Sequence, residues 1–243
     1  TAASGNQSVA LGTAAKAQNV GATALGNGAI SSGDSAVAIG RSVTASGEEA
    51  TAVGRTSTAA GARSIALGKS ASAASGDAIT IGTGATVEKA TSTSAIVIGN
   101  GAKATSSTTS TTDEGKDVVA IGYLAQAGAS SNIALGSQAK ASGNAQATAI
   151  GYNTNAQGYQ SIALGSGAST TAGGGSSVAL GRDAVASHGN AVALVLCHHI
   201  PPAIHVRQHI CCQVPHVIQG PDRHFIRIEL NVVQQITTAA AGV

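Results

Sequence analysis

The side chains able to do chemistry on their own crowd into the last fifth of the chain. Cys197, His198, His199, His205, His209, Cys211, Cys212, His216 and His224 lie there together, and thiolate and imidazole are preferred zinc ligands. The C-x2–4-C pair of structural zinc sites is absent, and adjacent Cys211 and Cys212 would point in opposite directions in a strand. A nucleophilic Cys–His pair needs a third group to orient it, and nothing around these residues supplies one. The GGG at 173–175 lacks the Lys-Ser/Thr partner of a phosphate loop. The calcium nonapeptide GGxGxDxUx is absent. Outside the segment the only histidine is His188. We therefore expect no enzyme, no cofactor and no metal site.

A second set of candidates is spread over the rest of the chain. Arg41, Arg55 and Lys69 each follow a glycine in consecutive 14-residue units, Tyr123 and Tyr152 follow later glycines of the same kind, and Arg182 does so near the end. If these positions stack, they form a column with ~4.8 Å between members. The cations would then make an electropositive stripe for a polyanion such as a glycosaminoglycan. The alternative is a solvated ladder relieved by Asp34, Glu48, Glu49 and Asp77 in neighbouring turns. Nucleic acid is not expected, because net charge is only +2 and no aromatic interleaves with the cations for base stacking. Tyr123 and Tyr152 are the best exposed contact candidates.

What positions that column is a repeat. The pattern apolar-Ala/Thr-aliphatic-Gly recurs twelve times, as SVALG, ATALG, AVAIG and variants, ending at Gly12, Gly26, Gly40, Gly54, Gly68, Gly82, Gly99, Gly122, Gly136, Gly151, Gly165 and Gly181. The glycine numbers rise by 14 at each of the first five steps, then by 17, 23, 14, 15, 14 and 16. A second glycine sits about half a unit earlier in many copies, for example Gly33, Gly47 and Gly61. Each unit reads as two short extended stretches joined by two glycine turns. Glycine after the strand supplies positive φ for a tight corner. Alternation sends Val37 and Ile39 to one face and Ala36 and Ala38 to the other. The 23-residue interval holds a Ser/Thr tract at 106–112 followed by DEGKD, which reads as a loop pushed out of one coil.

Composition agrees. Among 243 residues there are 32 Gly, three Tyr, one Phe and no Trp or Met, and 10% are charged. That leaves too few bulky side chains for a Rossmann fold, a TIM barrel or a helical bundle, while 43% apolar content argues against disorder. No apolar run reaches the ~18 residues of a membrane helix, no signal peptide is evident, and the chain reads as a fragment of a larger protein. The expected fold is all-β, a parallel roll of 14-residue coils. Two aliphatics and a few alanines, taken as the filling of each coil, bury little apolar surface against the chain entropy of ordering it. Several rolls packed side by side would bury the second strand face, and a closed three-fold is the simplest arrangement.

These units, with SVALG- or AVAIG-type anchors and a second glycine between them, resemble the head repeat of trimeric autotransporter adhesins, the family of the Yersinia adhesin. The resemblance covers residues 1 to about 194. It implies a left-handed parallel β-roll in each subunit, three rolls packed as a homotrimer, and nine cations in the band of Arg41, Arg55 and Lys69. It also implies a bacterial outer-surface location with the membrane anchor outside this sequence, and attachment to host extracellular-matrix protein or cell-surface glycan, or autoaggregation. The alternative is a structural spacer with binding carried elsewhere in the fibre. SAVAIG at 35–40 and VVAIG at 118–122 come near the family's collagen-linked NSVAIG motif, but both lack its Asn-Ser pair.

The repeat fails at Val195, which stands one 14-residue unit beyond Gly181 where glycine is due. Residues 195–234 hold the Cys, His and Pro cluster, and 235–243, QQITTAAAGV counting from Gln234, resemble the start of the family's neck. A segment that departs in mid-motif and returns near a familiar ending reads as a shifted reading frame or sequence error. A genuine insert is the alternative.

Overall fold

The computed structural model describes residues 1–88, 94–105, 117–143, 145–171, 173 and 175–195. Each coil contributes one two-residue and one three-residue strand, from Ala2–Ala3 to Val192–Leu194. The short strands form one 13-stranded sheet and the long strands another, each strand pairing in parallel with its counterpart one coil on. The register is the sequence repeat itself: Val37 pairs with Thr51, Ile65 with Ile79, and Thr44 with Thr58. The protein is therefore a parallel β-solenoid of about twelve turns. Across the 23-residue interval the ladder resumes without loss of register, Ile96 against Val119 and Lys103 against Gln126. The Ser/Thr tract at 106–112 lies outside the described residues.

The two corners of each coil turn by different means. After the long strand the glycine does adopt positive φ, for example +133° at Gly68, and a Cβ there would stand 2.6 Å from the Gly82 carbonyl oxygen. Both demands exclude a side chain. The second glycine has another reason. Gly47 has no positive φ, but a Cβ on it would collide with the Gly61 carbonyl of the next coil. The left-handed residue of that corner comes two positions later and in four successive coils is not glycine: Ser35, Glu49, Arg63 and Asp77 have φ of 53–56°. Their amides are stitched to the coil before, Arg63 N–H donating to Glu48 O at 2.7 Å. Intercoil hydrogen bonds thus hold a conformation that L-residues rarely take.

Alternation holds, but the expected filling is reversed. Ala36, Ala38, Ala50, Ala52 and Ala66 point inward and are fully buried, whereas the aliphatics beside them point outward. The largest fully buried apolar side chains are only Val43, Val87, Val97 and Val118. Aliphatics do not fill the coil because the two sheets of so thin a roll leave room for little more than methyl groups between them, and close packing rejects larger ones.

Candidate functional site

The surface of the roll divides into four strips, each set by the position of a residue within its coil. The first is the outer face of the long-strand sheet. The third residue of every long strand is Leu, Ile or Val, from Leu11 through Ile39, Val53, Leu67 and Ile121 to Leu194. The first is Val, Ile or Thr. These side chains stand half-exposed or exposed, Leu135 by 42% and Leu11 by 64%. Val37, Ile39, Val119 and Ile121 of the two near-collagen motifs belong to this strip. The second is the outer face of the short-strand sheet, and it is polar over most of its length: Lys16, Thr44, Thr58, Ser72, Thr86, Lys103, Gln126, Lys140 and Asn155. The roll is therefore amphipathic across its thickness.

The third strip is the corner after the long strands, and it carries the candidate column. The registers of Ile39 with Val53 and of Val53 with Leu67 bring Arg41, Arg55 and Lys69 onto consecutive coils. All three are exposed. Tyr123 and Tyr152 lie two coils apart with Ser137 between them, since Gln138 N–H donates to Tyr123 O and Asn153 N–H to Ser137 O. The two tyrosines are 53% and 57% exposed. The positions thus stack in one column, basic at Arg41, Arg55 and Lys69, aromatic at Tyr123 and Tyr152, and basic again at the exposed Arg182 near its end.

The fourth strip is the corner before the long strands, with Asp34, Glu48, Glu49, Arg63 and Asp77 exposed along it. Its best-defined feature is the fork between Arg63 and Asp77 on adjacent coils, with Nε to Oδ1 at 2.7 Å and Nη2 to Oδ2 at 2.8 Å. The Arg63 guanidinium holds the Asp77 carboxyl below its ordinary value, chiefly through this hydrogen bond, with desolvation opposing. In return Asp77 raises the Arg63 pKa, aided by Glu49 and Glu48. The acids expected to relieve the basic column thus sit at the opposite end of the long strands from it. Among the described residues neither Arg41, Arg55 nor Lys69 forms an ion pair.

Sequence reasoning missed one buried polar centre. Asn132 is fully buried. Its Nδ2 donates to Ala141 O at 3.1 Å and Gly143 O at 3.0 Å, and its Oδ1 accepts from Ala147 N–H at 2.8 Å. The signal was available, because it adjoins the 15-residue interval between Gly136 and Gly151. Among the described residues no three His, Cys, Asp or Glu side chains gather. The Cys and His cluster after residue 196 and the neck-like ending lie outside those residues, while Val195 still extends the ladder through its N–H to Leu180 O at 2.8 Å.

Comparison with known proteins gives no match among curated sequences. Among solved structures the chain is similar to the collagen-binding domain of the Yersinia adhesin YadA, at 22% identity over 85% of this chain and 80% of that one, with a TM-score of 0.26. A score that low does not superimpose the two as one arrangement, so the fold stands on the register above. The family described as YadA head domain repeat (2 copies) matches residues 3–29, 17–42, 45–71, 133–145, 145–168 and 172–194, together more than half of the chain. Its repeats coincide with the stacked coils, and the chain belongs to the YadA head repeat family.

Proposed function

We propose that this chain is the head of a bacterial trimeric autotransporter adhesin, in which three left-handed rolls pack their aliphatic strips around a common axis. The observation that carries the reading is the outward aliphatic column, continuous over thirteen long strands and so roughly 60 Å long at ~4.8 Å per strand. An apolar strip of that extent marks an interface. A partner with the same repeat matches it coil for coil, and three copies close the arrangement without leaving an apolar face in water. The polar face of the short strands then forms the outside of the head. The assembly stands on the bacterial surface with its membrane anchor outside this sequence. Three copies per head and many heads per cell turn weak contacts with matrix protein or cell-surface glycan into firm attachment.

Tyr123 and Tyr152 are the proposed contact residues. A tyrosine offers an apolar ring with a hydroxyl at its tip, suited to a half-polar ligand such as a sugar. The carboxamides of Gln138 and Asn153 follow in the adjacent, exposed positions of the same corner.

Light scattering on the full chain tests the assembly. A mass near three times 23.3 kDa is expected, and Leu135→Glu is expected to lower it while strand content persists. A monomeric wild-type chain refutes the trimer. Replacing Tyr123 and Tyr152 together with alanine is expected to weaken binding to immobilised matrix proteins or glycans. Unchanged binding by a trimeric variant transfers adhesion elsewhere and leaves the head as a spacer.

A further inference from the structure

The placement of the charged corners matters once three rolls share an axis, and their pairing rests on the trimeric reading proposed above. If each roll turns its long-strand face inward, the long strands lie across the axis. The corner that ends those strands in one roll then meets the corner that begins them in the next. Such an interface is heterologous, and closure into a ring requires that the facing coils stand at the same height. The level of every residue is therefore readable from a single chain.

Arg41, which follows Val37–Ile39, comes level with Asp34, which precedes that strand. Arg55 comes level with Glu48 and Glu49 across Thr51–Val53. Lys69 comes level with Ala62 and Arg63, where the guanidinium is already held by Asp77 and Glu49 stands one coil away. Over the coils from Gly33 to Thr83, three cations that form no ion pair among the described residues face four carboxylates and one guanidinium. The two preceding coils carry no charge at either corner. Opposite charges so placed cannot meet within one roll, because the strand separates them. They can meet between rolls.

We infer that the basic corner formed by Arg41, Arg55 and Lys69 is a docking surface for a second copy of this chain, closed by the acidic corner of Asp34, Glu48 and Glu49 on the neighbouring roll. The aliphatic strip gives area but little directionality, since every coil presents nearly the same pair of side chains. The charged block supplies polarity. It favours parallel rolls docked corner to opposite corner, and like charges oppose any approach that brings identical corners together. This assignment takes the three cations out of the ligand-binding surface and sets Tyr123 and Tyr152, which stand on the same corner, along the seam between two rolls, where a ligand would meet them.

The test compares three full-length variants with wild type by sedimentation over a range of concentration and salt. The first is R41E/R55E/K69E, the second D34K/E48K/E49K, and the third combines all six changes. Each single-corner reversal is expected to raise the trimer dissociation constant on the order of tenfold or more, and the combined swap to restore it towards wild type. Added salt is expected to weaken the wild-type trimer and to relieve both reversals. A trimeric wild type with R41E/R55E/K69E assembling equally well, or a combined variant no better than either parent, overturns the inference while leaving the trimer in place. A monomeric wild type overturns both. Strand content by circular dichroism separates lost assembly from lost folding, and rescue by the combined swap cannot come from a misfolded chain.

Discussion

Replacing Asn132 with alanine should cost far more than its size suggests, because this side chain closes a coil that is one residue too long. In several 14-residue coils the second corner closes on its own backbone, as when Ala50 N–H donates to Gly47 O at 3.2 Å. Gly136 and Gly151 bound a 15-residue interval, and there Ala147 N–H donates to the carboxamide of Asn132 at 2.8 Å instead. Alanine leaves that buried donor without a partner, at about 1–3 kcal/mol. Ala141 O keeps its bond from Gly128 N–H, whereas Gly143 O loses the Asn132 donor. The small void left by the carboxamide adds about 1 kcal/mol. The expected total is ~2–4 kcal/mol, measured from urea denaturation at fixed protein concentration. Because a solenoid couples only neighbouring coils, amide exchange should speed up around residues 129–151 and stay unchanged near the first coils. Ala50→Asn is the converse control, placing a carboxamide where the corner already closes itself, and it should also destabilise. A loss below about 0.5 kcal/mol for Asn132→Ala, with unchanged exchange at Ala147, would refute the coil-closing role.

Two further substitutions separate the reasons for glycine. Gly68→Ala combines a φ of +133° with a Cβ 2.6 Å from the Gly82 carbonyl, whereas Gly84→Ala has a φ of +66° and nothing within 4 Å. Denaturation should show a loss of more than about 3 kcal/mol for the first and about 1–2 kcal/mol for the second, and equal losses would contradict the steric argument. The Arg63–Asp77 fork should make stability depend on pH in one direction. The Asp77 pKa is lower in the folded chain than its ordinary 3.8, so the contribution is present above that value and fades as pH falls through the lower folded one. The denaturation midpoints of wild type and Asp77→Asn should therefore differ at neutral pH and converge in acid. A difference that persists in acid would assign the effect to packing.

The sequence alone determined the unit of this protein and its periodicity. Side chains alternate in any strand, and a corner at φ near +130° selects glycine, so SVALG-type anchors at 14-residue intervals read as stacked parallel coils. The residues that would stand in one column were equally legible, since Arg41, Arg55 and Lys69 hold the same place after the glycine in three successive copies. Alternation names two faces but not which is inside, and here composition misled. Val37 and Ile39 have more apolar area than Ala36 and Ala38, yet the alanines are the buried set. Only the tertiary structure decided this, because the gap between the two sheets limits the size of what can fill it. The same holds at the second corner, where Gly47 is required by a carbonyl of the following coil and not by its own backbone angles. Asn132 owes its role to atoms nine to fifteen residues away. A periodic sequence specifies what repeats along the axis. The distances between coils and across the coil exist only once it has folded, and they settled which side chains face inward and which remain free to meet a neighbour.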